Sequence, residues 1–322
     1  MIDVVALGEL LIDFACLSTD GEGYPTMAAH PGGAPANLLA AVQKFGGSTA
    51  LMGKVGQDAF GRMLMATLQN AGIQTRGMVM DEDFFTTLAF VTFDSTGNRE
   101  FSFSRKPGAD TQLRFEDLDL SLIDEARVFH FGSLSLTDEP AADATCRAVA
   151  YAKSRGKWIT YDPNLRKPLW KDLHQAKDRL LWGLSQADVV KISDEEVEFL
   201  FGLDPEQGAE YILRNYDVKL VFVTCGPEGS IYANRNARGH VSGLSGLQVI
   251  DTCGAGDIFG GSALWKLLKL NKNPEDLSQR EMEEITEFAC ASAGLSTTCS
   301  GGISSIHSYE QVLRKMKETY GG

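Results

Sequence analysis

Short apolar runs alternate along the chain with longer segments whose apolar residues recur at a helical period. A buried strand of a parallel sheet is apolar on both faces, and a parallel connection usually crosses over through a helix. The pattern therefore predicts an α/β fold with a predominantly parallel central sheet and helices on both of its faces. The predicted strands are residues 4–7, 128–131, 158–161, 189–192 and 220–223, and the predicted helices are residues 37–45, 60–71, 141–154, 173–184 and 194–201.

Two segments break this alternation. Residues 87–104 contain no helical pattern, and the sequence STGN at residues 95–98 separates two strand-like runs, which predicts a β-hairpin. Residues 11–31 are also non-helical and carry turn residues. We expect residues 11–31 and 87–106 to form a small β lid on a single domain that spans residues 1–322, because no linker or low-complexity tract divides the chain.

The composition narrows the function classes. The 322 residues include 30 Lys and Arg against 43 Asp and Glu, a formal net charge of −13, which disfavours nucleic acid and anionic membranes as partners. The six cysteines are scattered, with no pair spaced as in zinc or redox motifs, so a reducing cytoplasm is expected. No apolar run is long enough to span a membrane.

The strongest chemical signal is the sequence DTCGAGD at residues 251–257, which leads into a helical pattern. The amides at a helix start are unpaired and lie at the positive end of the helix dipole. Gly254 and Gly256 allow a close approach of an anion to the main chain, and Asp257 places a carboxylate beside those amides. A base next to an anion site is what phosphoryl transfer to an alcohol requires. A simple N-terminal helix cap is the alternative.

Other nucleotide-binding motifs do not occur. Phe259 interrupts a dinucleotide-type glycine pattern, and neither a Walker motif nor the protein-kinase motifs occur in the sequence.

Five ordered motifs together resemble the ribokinase-like (PfkB) carbohydrate kinases over essentially the whole chain. They are GGAPAN at 32–37 with the glycine-rich stretches 46–47 and 53–61, YDPNLR at 161–166, KISDEE at 191–196, VTCGPEG at 223–229 and DTCGAGD at 251–257. The first of these and the motifs at 161–166 and 191–196 are most similar to those of fructokinases. The resemblance implies a sheet domain with a β lid.

The resemblance also implies the roles of the reacting groups. Asp257 would be the general base, and the main chain of Gly254, Ala255 and Gly256 would form the anion hole. The expected contacts to the sugar are Asp257, Asp13, Gly32, Gly33, Asn37, Arg105 and Arg166. Helix capping is the alternative for Asn37, a salt bridge in the lid for Asp13, and a surface position for the two arginines.

Nucleotide contacts are expected on the later strands. By resemblance they are Lys191, Ser193, Glu196, Thr224, Gly226, Gly229, Gly254 and Gly256. Many family members have Asn where Ser193 stands, so helix capping is the alternative there. ATP would bring Mg²⁺, held mainly by phosphates and water, with Glu196 ordering a magnesium-bound water.

Asp251, the carbonyl of Cys253 and Gly301 match a monovalent-cation site of the family, which would hold K⁺. The exposed edge of the lid favours pairing with a second copy, giving a homodimer. The expected reaction is ATP-dependent phosphorylation of a free ketohexose, fructose to fructose 6-phosphate. The alternatives are a 2-keto-3-deoxygluconate kinase, a ribokinase or a nucleoside kinase of the same family, or a non-catalytic sugar-sensing homologue.

Overall fold

The secondary structure alternates between strands and helices along most of the chain. The structure, a computed structural model, describes residues 1–93 and 99–321. The strands are β1 (Ile2–Leu7), β2 (Leu11–Thr19), β3 (Pro25–Gly32), β4 (Thr49–Gly56), β5 (Gln74–Asp81), β6 (Leu88–Phe93), β7 (Arg99–Ser104), β8 (Ala126–Gly132), β9 (Trp158–Asp162), β10 (Val189–Ser193), β11 (Leu220–Thr224), β12 (Ser230–Asn234) and β13 (Arg238–Val241). The helices are α1 (Ala34–Lys44), α2 (Ala59–Asn70), α3 (Leu120–Glu125), α4 (Ala141–Ser154), α5 (Leu173–Gln186), α6 (Asp194–Phe201), α7 (Pro205–Asn215), α8 (Ala255–Leu270), α9 (Gln279–Ser296) and α10 (Tyr309–Tyr320).

The central sheet has the strand order β13-β12-β11-β10-β9-β8-β1-β4-β5. Neighbouring strands from β11 to β5 run parallel, and β12 and β13 add an antiparallel edge. The predicted parallel sheet is confirmed. Because parallel strands end on the same edge of a sheet, the loops that follow β9, β10 and β11 meet there, where ligands of such folds bind.

Helices cover both faces of this sheet, as predicted. Along β1, Val4 and Ala6 pack into the apolar core beneath α1, α2, α8 and α9. Val5 and Leu7 point to the opposite face and join the core beneath α3 to α7. This alternation follows from the two-residue period of a strand, and burial on both faces explains why residues 4–7 of β1 are all apolar. No helix in residues 1–93 and 99–321 is long and apolar enough to cross a membrane.

A second sheet, of strand order β3-β2-β6-β7, stands beside the first. β2 pairs with β3 and β6 pairs with β7 in antiparallel fashion, whereas β2 and β6 are parallel. The paired strands of the predicted hairpin are thus present, and its turn at residues 95–98 lies outside the described residues. Phe14 of this sheet stacks on Phe90 and meets the edge of Phe60 on α2, with ring centres 5.3 and 5.5 Å apart. These rings join the second sheet to the body of the molecule.

Strands β4 and β5 were not predicted. Every residue of β4 is buried, but its sequence TALMGKVG includes two glycines and a lysine, so it lacks the continuous apolar run of the other central strands. Lys54 is nevertheless accommodated because its ammonium pairs with Asp81 at 3.3 Å and Asp117 at 2.8 Å. The buried charge is paired, which is the usual condition for burying a lysine.

Candidate active site

The start of α8 presents unpaired main-chain amides toward the ends of the parallel strands. Gly254 is the N-cap of α8, in the left-handed conformation with φ +77°. No acceptor for the amides of Gly254 and Gly256 lies within the described ranges, whereas Ala255 donates to the carbonyl of Thr252 at 3.3 Å. Two of the three amides of the predicted anion hole are therefore open, and the third makes a long turn hydrogen bond.

Asp257 lies in the first turn of α8 and is 9% exposed. Its Oδ2 accepts a hydrogen bond of 2.9 Å from Nδ2 of Asn37. Burial, and after it the nearby Asp162 carboxylate, raise the pKa of Asp257 to about 6 against the opposing effects of Lys191, Asn37 and Arg166. A carboxylate that ionises just below neutral pH is suited to act as a general base.

Asn37 does not cap a helix, so that alternative is wrong. The helix begins at Ala34, with Gly33 as its N-cap, and Asn37 lies within α1, fully surrounded by protein. Its Oδ1 is buried without a hydrogen-bond partner among residues 1–93 and 99–321. A Cβ on Gly302 would lie 2.2 Å from this Oδ1, so the glycine at 302 leaves room for the amide. Asn37 thus orients Asp257 and keeps a free acceptor beside it.

Asp13 and Arg166 face the same cleft. Burial raises the pKa of Asp13 to about 6, an effect that the Arg166 guanidinium opposes. A Cβ on Gly32 would lie 2.1 Å from Oδ2 of Asp13, so only glycine fits beneath this carboxylate. Arg166 and His30 are the cationic groups that act on Asp13, and neither forms an ion pair with it among the side chains that the structure describes, which is against a salt bridge in the lid. Arg166 is half-buried.

Arg105, the other arginine predicted to contact sugar, is placed differently. It is 4% exposed, so it is not a surface residue. Its nitrogens donate to Asp110 at 2.7 Å, to Thr137 at 2.7 Å and to the carbonyl of Leu134 at 2.9 Å. The structure does not bring Arg105 together with Asp13 as it does Arg166, because its donors already hold the end of β7 to the loop after β8.

The residues after β10 form a tight polar cluster. Ser193 is the N-cap of α6 and accepts from the amide of Glu196 at 3.2 Å, so helix capping holds for this residue. Glu196 in return accepts from the amide of Ser193 at 2.9 Å and from that of Leu165 at 2.6 Å. Burial and the Asp162 carboxylate raise the pKa of Glu196, and the Lys191 ammonium opposes this effect. Glu196 therefore fixes the loop after β9 to the start of α6.

The turn after β11 lies next to this cluster, because Thr224 pairs with Ser193 in the sheet. Gly226 and Gly229 both have positive φ, of +54° and +102°. A Cβ on Gly229 would lie 2.0 Å from the carbonyl oxygen of Val241, so glycine is required there, whereas the surroundings of Gly226 are open.

The residues of the predicted cation site lie together. Oδ1 of Asp251 accepts from the amide of Cys253 at 2.9 Å, and Oδ2 accepts from the amide of Gly301 at 3.0 Å. Asp251 therefore ties the loop before α8 to the loop after α9. The described residues contain no cluster of three or more His, Cys, Asp or Glu side chains arranged to hold a metal ion.

Two buried acidic residues, Asp162 and Glu9, have no role predicted from the sequence. Asp162 ends β9, is 3% exposed and pairs with Lys191 at 2.9 Å. Glu9 is 3% exposed and accepts from the amide of Ala34 at 2.9 Å, and burial raises its pKa to about 7. Glu9 could have been singled out because it is an acidic residue inside an apolar run. Asp162 could have been singled out because it belongs to the YDPNLR motif.

A mostly parallel sheet covered by helices, a second small sheet and an open helix start beside a buried carboxylate define the ribokinase-like class of sugar kinases. A family model described as "pfkB family carbohydrate kinase" matches residues 1–308. The chain belongs to the pfkB family of carbohydrate kinases.

Named relatives are similar over nearly the full chain. Fructokinase-1 of Oryza sativa subsp. japonica is 41% identical over 98% of this chain and 97% of its own. The structure of a fructokinase with bound ATP from Xylella fastidiosa superposes with a TM-score of 0.90, at 30% identity over 99% of each chain. A double-mutant fructokinase from Vibrio cholerae, in a form with bound fructose, ADP and potassium ion, has a TM-score of 0.85 at 29% identity over 98% of each chain.

Proposed function

We propose that this protein transfers the γ-phosphoryl group of ATP to the 6-hydroxyl of fructose, giving fructose 6-phosphate and ADP. One observation carries the proposal: the buried Asp257 carboxylate, the open amides of Gly254 and Gly256 and the Lys191 ammonium meet at the edge of the sheet where the strands end. The fructokinase names of the relatives support fructose as the acceptor.

In this reaction Asp257 accepts the proton of the sugar hydroxyl as its oxygen bonds to phosphorus. The bond between that phosphorus and the bridging oxygen of ADP breaks, and the electron pair leaves with ADP. The amides at the start of α8 and the Lys191 ammonium stabilise the negative charge on the transferred group. Loss of one such donor typically raises a barrier by about 2.7–4 kcal/mol.

The sugar lies, in this proposal, between the second sheet and the start of α8. Asp13 and the free Oδ1 of Asn37 accept hydrogen bonds from its hydroxyls, and Arg166 donates to its oxygens. The main chain at Gly32 and Gly33 borders the same space, where a side chain would collide with Asp13 or with the carbonyl of Glu9.

ATP binds along the ends of β10 and β11, near Lys191, Ser193, Thr224, Gly226 and Gly229. Glu196 would orient a water bound to the Mg²⁺ that accompanies ATP, and this ion would supply charge neutralisation at the phosphates. We also propose a K⁺ ion beside Asp251, the carbonyl of Cys253 and Gly301: Asp251 holds these segments together, and the fructokinase from Vibrio cholerae binds a potassium ion.

The test is an enzyme-linked ADP assay on a panel of sugars with the wild-type protein and an Asp257→Asn variant. We expect turnover with fructose, and a loss of roughly 10²–10⁴-fold in the variant, with fructose binding retained in calorimetry. Asp178→Asn, on the exposed face of α5, is the matched control and should behave as wild type. Turnover kept by Asp257→Asn would refute the assignment of the base. Fructose binding by the wild type without ADP release would favour a non-catalytic sugar sensor.

Residues 1–322 act as one kinase domain in this proposal, with the second sheet as its lid. The edge strands of that sheet pair with a second copy, giving a homodimer, and the exposed Leu17 and Tyr24 at its end offer apolar surface for the contact. The free cysteines fit a cytoplasmic location. Sedimentation at micromolar protein concentration tests the dimer, and a monomer there would reject it.

A further inference from the structure

Asp162 is a buried carboxylate at the edge of the proposed active site. It ends β9, and its side chain is 5% exposed. Its Oδ2 contacts Nζ of Lys191 at 2.9 Å, whereas its Oδ1 is buried and has no hydrogen-bond partner within the described ranges. Burying a carboxylate in this way costs free energy that the interaction with its ion-pair partner has to offset.

The partner of Asp162 lies against the anion hole. The side chain of Lys191, on β10, is 13% exposed, and its Nζ lies 3.0 Å from where a Cβ on Gly256 would be. The ammonium therefore rests on the first turn of α8, next to the amides that the proposed function assigns to the transferred phosphoryl group.

The anchor matters because Lys191 has space to move. A cavity of about 30 Å³ adjoins the pair and is lined by Leu38, His130 and Leu264 as well as by Asp162 and Lys191. A lysine has four flexible side-chain bonds, so without its carboxylate partner the ammonium would no longer be held in one position against α8, although it would stay within this small space near Asp257.

We propose that Asp162 is a positioning residue for phosphoryl transfer: it holds the Lys191 ammonium against the start of α8 and balances its charge beside Asp257. The inference rests on the proposed function and deepens it. Asp162 itself touches neither substrate; it acts through Lys191.

The charges around Asp257 make the role of Asp162 measurable through the pH dependence of the activity. The groups that face Asp257 are Asp162, Lys191 and Arg166, together with the amide of Asn37. Asp162 raises the pKa of Asp257, and the two cations lower it. Loss of the Asp162 charge removes the carboxylate that raises the pKa of Asp257, and the Lys191 ammonium, although no longer fixed, stays in the site, so the pKa of Asp257 falls. The acid limb of the pH–activity profile, where activity falls as Asp257 becomes protonated, should then move to lower pH.

Two other ionisable groups face Asp162. Glu196 lies near the same ammonium, and the Asp162 carboxylate raises the pKa of Glu196. His130 is buried, its pKa is lowered to about 3, and it is therefore neutral at the pH of the assay. The cationic partner of Asp162 in this cluster is Lys191.

Two variants separate charge from position. Asp162→Asn keeps the size of the side chain and removes its charge, and Asp162→Glu keeps the charge and moves it by one methylene. We expect both to lower kcat on the alkaline plateau roughly 10-fold to 100-fold, with little change in KM for fructose. Only Asp162→Asn should shift the acid limb to lower pH. By calorimetry, Asp162→Glu should weaken ATP binding several-fold.

The matched control is Asp188→Asn. Asp188 precedes β10 at the opposite end of the sheet and pairs with Lys219 at 2.6 Å, while its other oxygen accepts from the amide of Ile159 at 2.8 Å. Its loss removes a comparable ion pair far from the strand ends that form the site, so kcat, the acid limb and ATP affinity should stay at wild-type values.

Wild-type kcat and ATP affinity in Asp162→Glu would overturn the inference, as would an acid limb that Asp162→Asn leaves in place or moves to higher pH. If Asp162→Asn does not fold, the plateau kcat and ATP affinity of Asp162→Glu decide alone: losses of both support the inference. A wild-type protein without turnover on any sugar would instead refute the proposed function, and the calorimetric comparison of Asp162→Glu with Asp188→Asn would still test the anchoring.

Discussion

A Gly302→Ala substitution should disturb Asp257 without touching it. The backbone of Gly302 has φ −78°, which alanine adopts without strain, so the effect comes from the new methyl group alone. That Cβ would lie 2.2 Å from Oδ1 and 2.7 Å from Cγ of Asn37. Ordinary contact begins near 3.4 Å, so the Asn37 amide must retreat by about 1 Å from a position where it donates to Asp257 at 2.9 Å.

The size of the effect follows from the bond that is lost. A hydrogen bond to a charged group contributes about 1.5–3 kcal/mol, and a change of one pKa unit corresponds to about 1.4 kcal/mol. The Asn37 bond lowers the pKa of Asp257, so weakening it moves the acid limb up from about 6 by about one pH unit. Near pH 6.5 the ionised fraction of Asp257 then falls about threefold, whereas near pH 8.5 it hardly changes.

The assay is the pH dependence of kcat/KM for fructose, measured on wild type and Gly302→Ala. Gly21→Ala is the control, because a Cβ on Gly21 meets no atom within 4 Å. Thermal denaturation checks that the variants are folded. An acid limb at the wild-type position, or an equal loss of activity at every pH, would show that Asn37 does not set the ionisation of Asp257.

Two further predictions concern buried and half-buried charges. Burial raises the pKa of Glu9 from the usual 4.5 to about 7, so its contribution to stability is complete below pH 4.5 and is lost as the pH rises through 7. Glu9→Gln keeps an acceptor for the amide of Ala34, so its melting temperature should fall less between pH 5 and pH 8 than that of wild type; equal falls would contradict this. Arg166→Met should raise KM for fructose about tenfold, because it removes the cation that faces Asp13 and Asp257. Lys167→Met is the control, and an unchanged KM in Arg166→Met would exclude a sugar contact.

The parts of the fold that the sequence predicted are those with a strong local pattern. Residues 4–7 of β1 and 220–223 of β11 are continuous apolar runs because helices cover both faces of the sheet, and that burial is visible in the residues themselves. β4 was not predicted because it contains a lysine. That lysine is buried only because it pairs with carboxylates from β5 and from a later turn, and such pairing is a property of the tertiary structure.

The candidate site also contains residues with a local sequence signal and residues whose contacts come from distant parts of the chain. A glycine turn before a helical pattern indicates an anion site locally, so Gly254, Gly256 and Asp257 could be proposed from a short stretch of sequence. Arg105 was expected to contact the sugar by resemblance, but its partners come from 5, 29 and 32 residues further along the chain. The hydrogen bond between Asn37 and Asp257 spans 220 residues, and no local pattern contains it.

Asn37 and Asp162 act on Asp257 in opposite directions, and this makes their contributions separable. Weakening the Asn37 bond through Gly302→Ala moves the acid limb to higher pH, and removing the Asp162 charge moves it to lower pH. In a protein that carries both substitutions, independent effects would sum, and the limb would return toward its wild-type position. A limb that instead stays at the Asp162→Asn position would mean that Asn37 orients Asp257 only while Lys191 is held in place, so that amide and ammonium work as one unit.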